Sequence, residues 1–317
     1  MLRLWLYVVG VFKILVQGYN MGNYEILQKI TFDMVKEKIP ERNPNAHKGD
    51  FGKLLCICGS KSMPGAAYFC VSSAIKCGVG LVIAATSESV YNSLSCKISE
   101  CTFKILKETS EGTISSANID DILFETQKCS AVLIGCGMGW NEDTGFLTRE
   151  LIKKSKNPLV IDADGINVIS ENIDILREIK SPVVITPHMK EMCRLIGTDM
   201  DYLKSNKIKC VSDFCSKYNV TLILKGHGTI IAGGNDKIYL NTTGNPGMAK
   251  GGSGDVLSGM VASFLAQGYS PIDSAICATY IHGMAGDECS GKMSQIAMTP
   301  TDLIGSLPDV FLQFEKG

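Results

Sequence analysis

Five short runs of uninterrupted apolar residues, Leu54 to Cys58, Ala131 to Ile134, Leu159 to Ile161, Val183 to Ile185 and Leu222 to Leu224, each stop at glycine or at a polar residue able to do chemistry. Apolar runs without alternation describe strands covered on both faces, the pattern of a parallel sheet with helices on either side. The runs give way to Gly59-Ser60-Lys61, Gly135 to Gly139, Asp162 to Asn167, Thr186 to Glu191 and Lys225 to Thr229. Open α/β sheets bind ligands beyond the carboxyl ends of their strands. The expectation is one doubly wound α/β domain over residues 47–317, three layers deep, with a mostly parallel central sheet and a single ligand edge.

The intervening residues fit that frame. A helix from about Ala66 to Lys76 is unusually small-sided (Ala66, Ala67, Ser72, Ser73, Ala74), which permits close approach, and Leu81 to Ala85 completes a βαβ unit. Thr86 to Gln127 reads as mixed polar helices and turns. A turn at Gly233 to Asp236 folds Ile230-Ile231 back on Ile238-Tyr239 as a hairpin. Helices are expected from Asp255 to Gln267, with Gly268 beyond the end, and from Pro271 to about His282. The residues before His47 read as a short helix and a linker.

The stretch Asn241 to Leu257, NTTGNPGMAKGGSGDVL, joins an apolar β-prone run to a helix N-terminus. Its glycines remove side chains that would block a ligand, and the first N–H groups of the helix point into that space. An anion, most simply phosphate, suits the hole formed by Gly252, Ser253, Gly254 and Asp255. Asp255 beside a phosphate can serve as a general base toward an attacking hydroxyl, and equally as a first-turn capping partner.

A net charge of −1, from 31 basic and 32 acidic residues, excludes a broad electrostatic footprint for nucleic acid or an anionic membrane. Thirteen cysteines, many inside apolar runs, read as reduced thiols of a cytoplasmic protein. Cys56 and Cys58 share one strand face and have no second Cys/His pair at zinc-finger spacing. Residues 1–20 carry apolar character from Leu4 to Phe12 broken by Lys13, short of the about 20 apolar residues a membrane span requires. They read as a misassigned start before Met21 or a weak signal-like segment, within an N-terminal extension over 1–46.

Taken in order, HKGDFG, GSxxxxGAA, GxGxG, DADGIN, TPHxxE, KGxxT and NxxGNPGMAxGGSGDVL resemble the NAD(P)H-hydrate dehydratases of the ribokinase-like superfamily, over about residues 30 to 305. GGxGD alone would indicate only the superfamily. The resemblance implies dehydration of the S form of hydrated NADH or NADPH back to the reduced cofactor, with magnesium and a nucleoside phosphate. The motifs look like the bacterial form, in which ADP gives AMP and phosphate; ATP is typical of animals and fungi. The residues before His47 are too few for the epimerase domain that often precedes the bacterial enzyme, so a stand-alone dehydratase is expected. Carried over by position, Asp255 faces the reacting centre, and Ala66, Gly137 and His188 contact the hydrated dinucleotide. Lys225, Gly226, His227, Gly228 and Thr229, with Gly254, hold the nucleotide, although His227 occupies a variable position and is given no chemistry. Glu191 is placed for magnesium through water. The partners implied are small molecules, and relatives are often tetrameric. Two rivals share these residues: a small-molecule kinase of the same superfamily and a non-catalytic nucleotide sensor.

Overall fold

The computed structural model describes residues 27–234 and 237–316; the segment 1–20 and the turn tip at Asn235 and Asp236 lie outside them. In chain order the elements are β1 (Leu27–Lys29), α1 (Phe32–Lys36), β2 (Lys53–Ile57), α2 (Pro64–Lys76), β3 (Leu81–Ser87), α3 (Glu88–Leu94), β4 (Thr102–Leu106), α4 (Ile119–Thr126), β5 (Ala131–Ile134), α5 (Glu142–Lys154), β6 (Leu159–Ile161) and α6 (Asp164–Glu171). They continue with β7 (Val183–Ile185), α7 (Met189–Ile196), α8 (Met200–Ser205), α9 (Lys207–Tyr218), β8 (Thr221–Leu224), β9 (Thr229–Ala232), β10 (Ile238–Asn241), α10 (Ser253–Ala266), α11 (Pro271–Lys292) and α12 (Pro300–Lys316).

The strands make one sheet in the order β1-β10-β9-β8-β7-β6-β5-β2-β3-β4. From β8 through β4 every neighbouring pair is parallel. The β9–β10 hairpin is antiparallel, with Ile231 opposite Tyr239 as expected. Alternate strand residues feed two cores: Leu54, Cys56, Val160, Val184 and Ile223 pack with α2, α10, α11 and α12. Leu55, Ile57, Ile161, Ile185 and Leu222 pack with α4, α5, α6, α7 and α9. Both faces are therefore dry, which is why the strands read as continuous apolar runs; each buried Leu or Ile contributes about 1.5–3 kcal/mol.

The small-sided helix has a specific use. A β-carbon on Gly259 of α10 would lie 2.2 Å from the Cys70 carbonyl oxygen and 2.3 Å from Ser73 Oγ, so α2 and α10 cross nearly backbone to backbone. That contact fixes the N-terminus of α10 against the ends of β5 and β6.

Three expectations are corrected. The boundary at residue 47 falls too late, because β1 extends the sheet beside β10 (Leu27 opposite Ile238) and Ile30 and Val35 are in the core, 1% and 0% exposed. A three-residue edge strand with a single apolar residue leaves no run to detect. The region 86–127 contains strand β4, another edge, where only one face needs apolar residues. Finally, α11 continues to Lys292 instead of ending near His282. Gly283 lies within it as a contact point: a β-carbon there would meet Thr243 Oγ1 at 2.0 Å, so the helix presses on the loop leading to α10. Among the described residues, no helix is long and apolar enough to cross a membrane.

Candidate active site

Four sequence segments beyond the carboxyl ends of β5, β6, β7 and β8 meet the N-terminus of α10. Gly252 precedes that helix with φ at +101°, and a β-carbon would strike the Phe69 ring at 2.5 Å, so only glycine turns the chain here. No side chain caps the helix. The Ser253 N–H is already taken by the Lys250 carbonyl at 3.2 Å, which removes it from the expected anion hole, whereas those of Gly252, Gly254 and Asp255 have no acceptor among the described residues. Two buried polar atoms at or under the same tip, Ser253 Oγ and His282 Nε2, also lack a partner. Orphaned buried donors and acceptors of this kind mark a site shaped for a ligand. Burial pushes the His282 imidazole down to about 4, so it is neutral.

Lys225 supplies the fixed positive charge. Its Nζ lies 2.8 Å from Asp162 Oδ1 and 3.3 Å from where a β-carbon on Gly254 would stand, beside the helix tip. Asp162, 1% exposed, also accepts from Ser258 Oγ at 2.6 Å and from Cys136 Sγ at 3.6 Å. Burial works to raise the Asp162 carboxyl, but the Lys225 charge and the hydrogen bonds from Lys225, Ser258 and Thr186 outweigh it and hold it below the usual range. For Lys225 burial works downward, and the charges of Asp162 and Glu191 leave the ammonium raised. The lysine is therefore charged and locked. Asp162 thus ties the ammonium to α10 through Ser258 and does not itself face a ligand. Asp164 braces the neighbouring turn by accepting the Gly139 N–H at 2.9 Å.

Asp255 is the third residue of α10 and only partly buried. Burial first, then repulsion from Asp162, raises its carboxyl to about 6, with Lys225 pulling the other way. It is ionised at neutral pH, yet more basic than an ordinary carboxylate, which is the tuning a general base needs.

Ala66 and Gly137 are brought together: with φ at +63°, a β-carbon on Gly137 would meet that of Ala66 at 2.5 Å. They sit beside Asp255 because Cys70, one turn beyond Ala66 on α2, and Cys136 both lie within 4.8 Å of its carboxylate. His188 caps α7. Its Nδ1 accepts the Glu191 N–H at 3.0 Å, and Glu191 Oε2 accepts the His188 N–H at 2.7 Å. With Nδ1 accepting, the neutral ring carries its proton on Nε2, and burial together with the Lys225 charge keeps its affinity for a second proton below the usual value. Glu191 is 6% exposed, and burial raises its carboxyl to about 7. Its Oε2 serves the cap, and its Oε1 lies 3.4 Å from His188 Nε2. Gly226 and His227 are exposed, and Thr229 Oγ1 donates to the Gly226 carbonyl at 2.9 Å. Sequence reasoning missed Ser258, Cys70, Cys136 and His282, each brought in by the fold from within a helix or strand end that reads as ordinary core.

No three carboxylates converge among the described residues; the one group of three His, Cys, Asp or Glu side chains that does contains two thiols. A hard cation such as magnesium fits here only if carried mainly by the phosphates of a bound nucleotide.

Comparison with known proteins gives a consistent result. The sequence profile of the NAD(P)H-hydrate dehydratase family matches residues 54–309. The bifunctional NAD(P)H-hydrate repair enzyme Nnr of Moorella thermoacetica is 35% identical over 287 residues, covering 90% of this chain and 54% of that protein. The ADP-dependent (S)-NAD(P)H-hydrate dehydratase of Neisseria meningitidis is 33% identical over 250 residues, 78% of this chain and 80% of its own. Among solved structures, the ADP/ATP-dependent NAD(P)H-hydrate dehydratase of Bacillus subtilis, co-crystallised with ATP and Mg2+, superposes with a TM-score of 0.78 at 26% identity, covering 91% of this chain and 99% of that one. The chain spans about half the length of the bifunctional relatives it matches.

Proposed function

Since the chain belongs to the NAD(P)H-hydrate dehydratase family, we propose that it dehydrates (S)-NADH or (S)-NADPH hydrate to the reduced cofactor at the expense of ADP, releasing AMP and phosphate. The observation that carries this reading is Asp255, a carboxylate tuned to about 6, standing beside unpaired N–H groups and the Lys225 ammonium. A phosphoryl group and the hydroxyl that attacks it would meet there.

The chemistry rests on the leaving groups. Hydroxide leaves C6 of the hydrated ring poorly, and phosphate leaves readily. Asp255 takes the proton of the C6 hydroxyl as its oxygen attacks the terminal phosphorus of ADP; the P–O bond to AMP breaks. The ring nitrogen lone pair then expels phosphate to leave a C6 iminium, and loss of a proton from C5 to the departing phosphate restores the C5–C6 double bond and the nitrogen lone pair. The helix tip and Lys225 hold the charge that spreads over the transferring oxygens, and their fixed placement supplies most of the acceleration. Ala66, Gly137 and His188 line the hydrate side, with His188 offering a neutral Nε2–H. Lys225 to Thr229 and Gly254 hold the nucleotide. Magnesium, riding on the nucleotide phosphates and reached by Glu191 through water, would neutralise charge there. We place the activity in the cytoplasm, on small soluble substrates, in a homo-oligomer such as a tetramer.

The direct test is to supply enzymatically hydrated NADH with ADP or ATP and to follow recovery of the reduced-nicotinamide absorbance. Recovery with equimolar AMP and phosphate is the expected result; nucleotide turnover without recovery would point to a kinase acting on another alcohol. The pH dependence is fixed in sign. Because the base must be unprotonated, kcat/KM should climb tenfold per unit up to about pH 6 and then level off. In Glu191→Gln the bend should stay near 6, although Glu191 itself titrates at about 7; a bend that vanishes with Glu191 would assign the base elsewhere.

A further inference from the structure

The chain carries 13 cysteines, all of them free thiols and most of them packing as small apolar residues in the cores. Two are placed differently. Cys70 Sγ, Cys136 Sγ and a carboxylate oxygen of Asp255 all lie within 4.8 Å of one another, the single such grouping of His, Cys, Asp or Glu among the described residues. Cys56 on β2 and Cys58 just beyond it, although close in sequence, belong to no such group. We propose that Cys70, Cys136 and Asp255 form a binding site for a thiophilic divalent cation, zinc or cadmium in chemical class, which withdraws the carboxylate from the reaction and stops turnover.

The donor set selects the ion. Two thiolates and a carboxylate suit zinc in tetrahedral geometry, with bonds of about 2.3 Å to sulfur and about 2.0–2.2 Å to oxygen. Such a centre holds its ligands a little under 4 Å apart, so atoms already within 4.8 Å of one another close on it by side-chain rotation alone. Magnesium, which prefers six oxygens, is excluded by the same donors. Both thiols are fully buried, while Asp255 is partly open to the cleft. The ion therefore enters past the carboxylate, and water from the cleft completes its fourth position. Burial raises the Cys70 thiol, and at Cys136 a hydrogen bond from Cys70 pulls downward but burial and the neighbouring Asp162 charge leave that thiol raised as well, so both are protonated in the free protein. Binding exchanges their two protons for one cation and leaves an anionic centre beside the Lys225 ammonium. Nothing is oxidised.

The binding claim stands on geometry alone; the claim that the cation inhibits rests on the dehydratase reading. The two are separated by measuring them separately. The full-length protein, kept reduced with a phosphine, is titrated with Co2+ alone while sulfur-to-cobalt charge-transfer absorption is followed. One equivalent per chain is expected, lost in Cys70→Ala and in Cys136→Ala and kept in Cys96→Ala and Cys193→Ala, whose thiols are more exposed. Circular dichroism checks that each variant is folded. A band that survives both Cys70→Ala and Cys136→Ala, or that never forms, overturns the site whatever the enzyme's activity. In the turnover assay, equimolar zinc should lower the rate at least tenfold, with recovery on adding a chelator and no reductant. Recovery that instead requires a reductant would mean a Cys70–Cys136 disulfide, and the cation site would be wrong.

Discussion

Replacing Asp255 by asparagine should lower turnover by about 10²–10⁴-fold, the usual worth of a positioned general base, while nucleotide affinity changes little. Asparagine keeps the shape of the side chain and removes only its ability to accept a proton. The N–H groups of Gly252 and Gly254 and the Lys225 ammonium, which would hold the phosphate, are untouched. Removing a carboxylate from beside a phosphate also relieves repulsion, so ADP should bind as tightly or slightly more tightly in the variant. Single-turnover kinetics and calorimetric ADP titration separate the two quantities. A variant that keeps most of its turnover would show that Asp255 is only a first-turn residue of α10.

The second large effect is on stability. Lys225→Met leaves the Asp162 carboxylate buried, 1% exposed, without its counter-charge. Breaking a buried pair from one side costs about 3–5 kcal/mol, because the remaining charge has neither water nor partner. Urea unfolding should show that loss in Lys225→Met and recover much of it in Lys225→Met with Asp162→Asn. Activity should not return with stability, since the ammonium beside the helix tip is still missing. If the double variant regained turnover along with stability, Lys225 would be a structural cation and no part of the phosphate site.

These networks also explain which parts of the molecule could be read from the sequence. Strands β5, β6 and β7 were legible because burial on both faces writes itself as an unbroken apolar run, and each run ends at the sheet edge that holds the candidate site. Edge strands β1 and β4 left no such record, since an edge is half solvated and tolerates Gln28 or Lys104. Asp255 and Lys225 were visible in their own motifs. The way they act together was not: Asp162 reaches Lys225 across 63 positions and Ser258 across 96, and no local pattern connects them. Likewise Cys70 and Cys136 look like ordinary core residues until the Gly259 crossing draws α2 against α10. His188 and Glu191 fall between these cases. Their spacing is that of a capping box, and the structure has one at the start of α7, so the side chains proposed to meet the ligand also cap the helix.

The central claim is that the C6 hydroxyl is phosphorylated before it leaves. NADH hydrate prepared in ¹⁸O-labelled water carries the label on that hydroxyl, and mass spectrometry of the inorganic phosphate after complete turnover in ordinary water reads its fate. One ¹⁸O per phosphate released, with none in AMP, is the predicted result. Unlabelled phosphate, with the ¹⁸O lost to solvent, would mean that water attacks the nucleotide and that dehydration proceeds without phosphoryl transfer to the substrate.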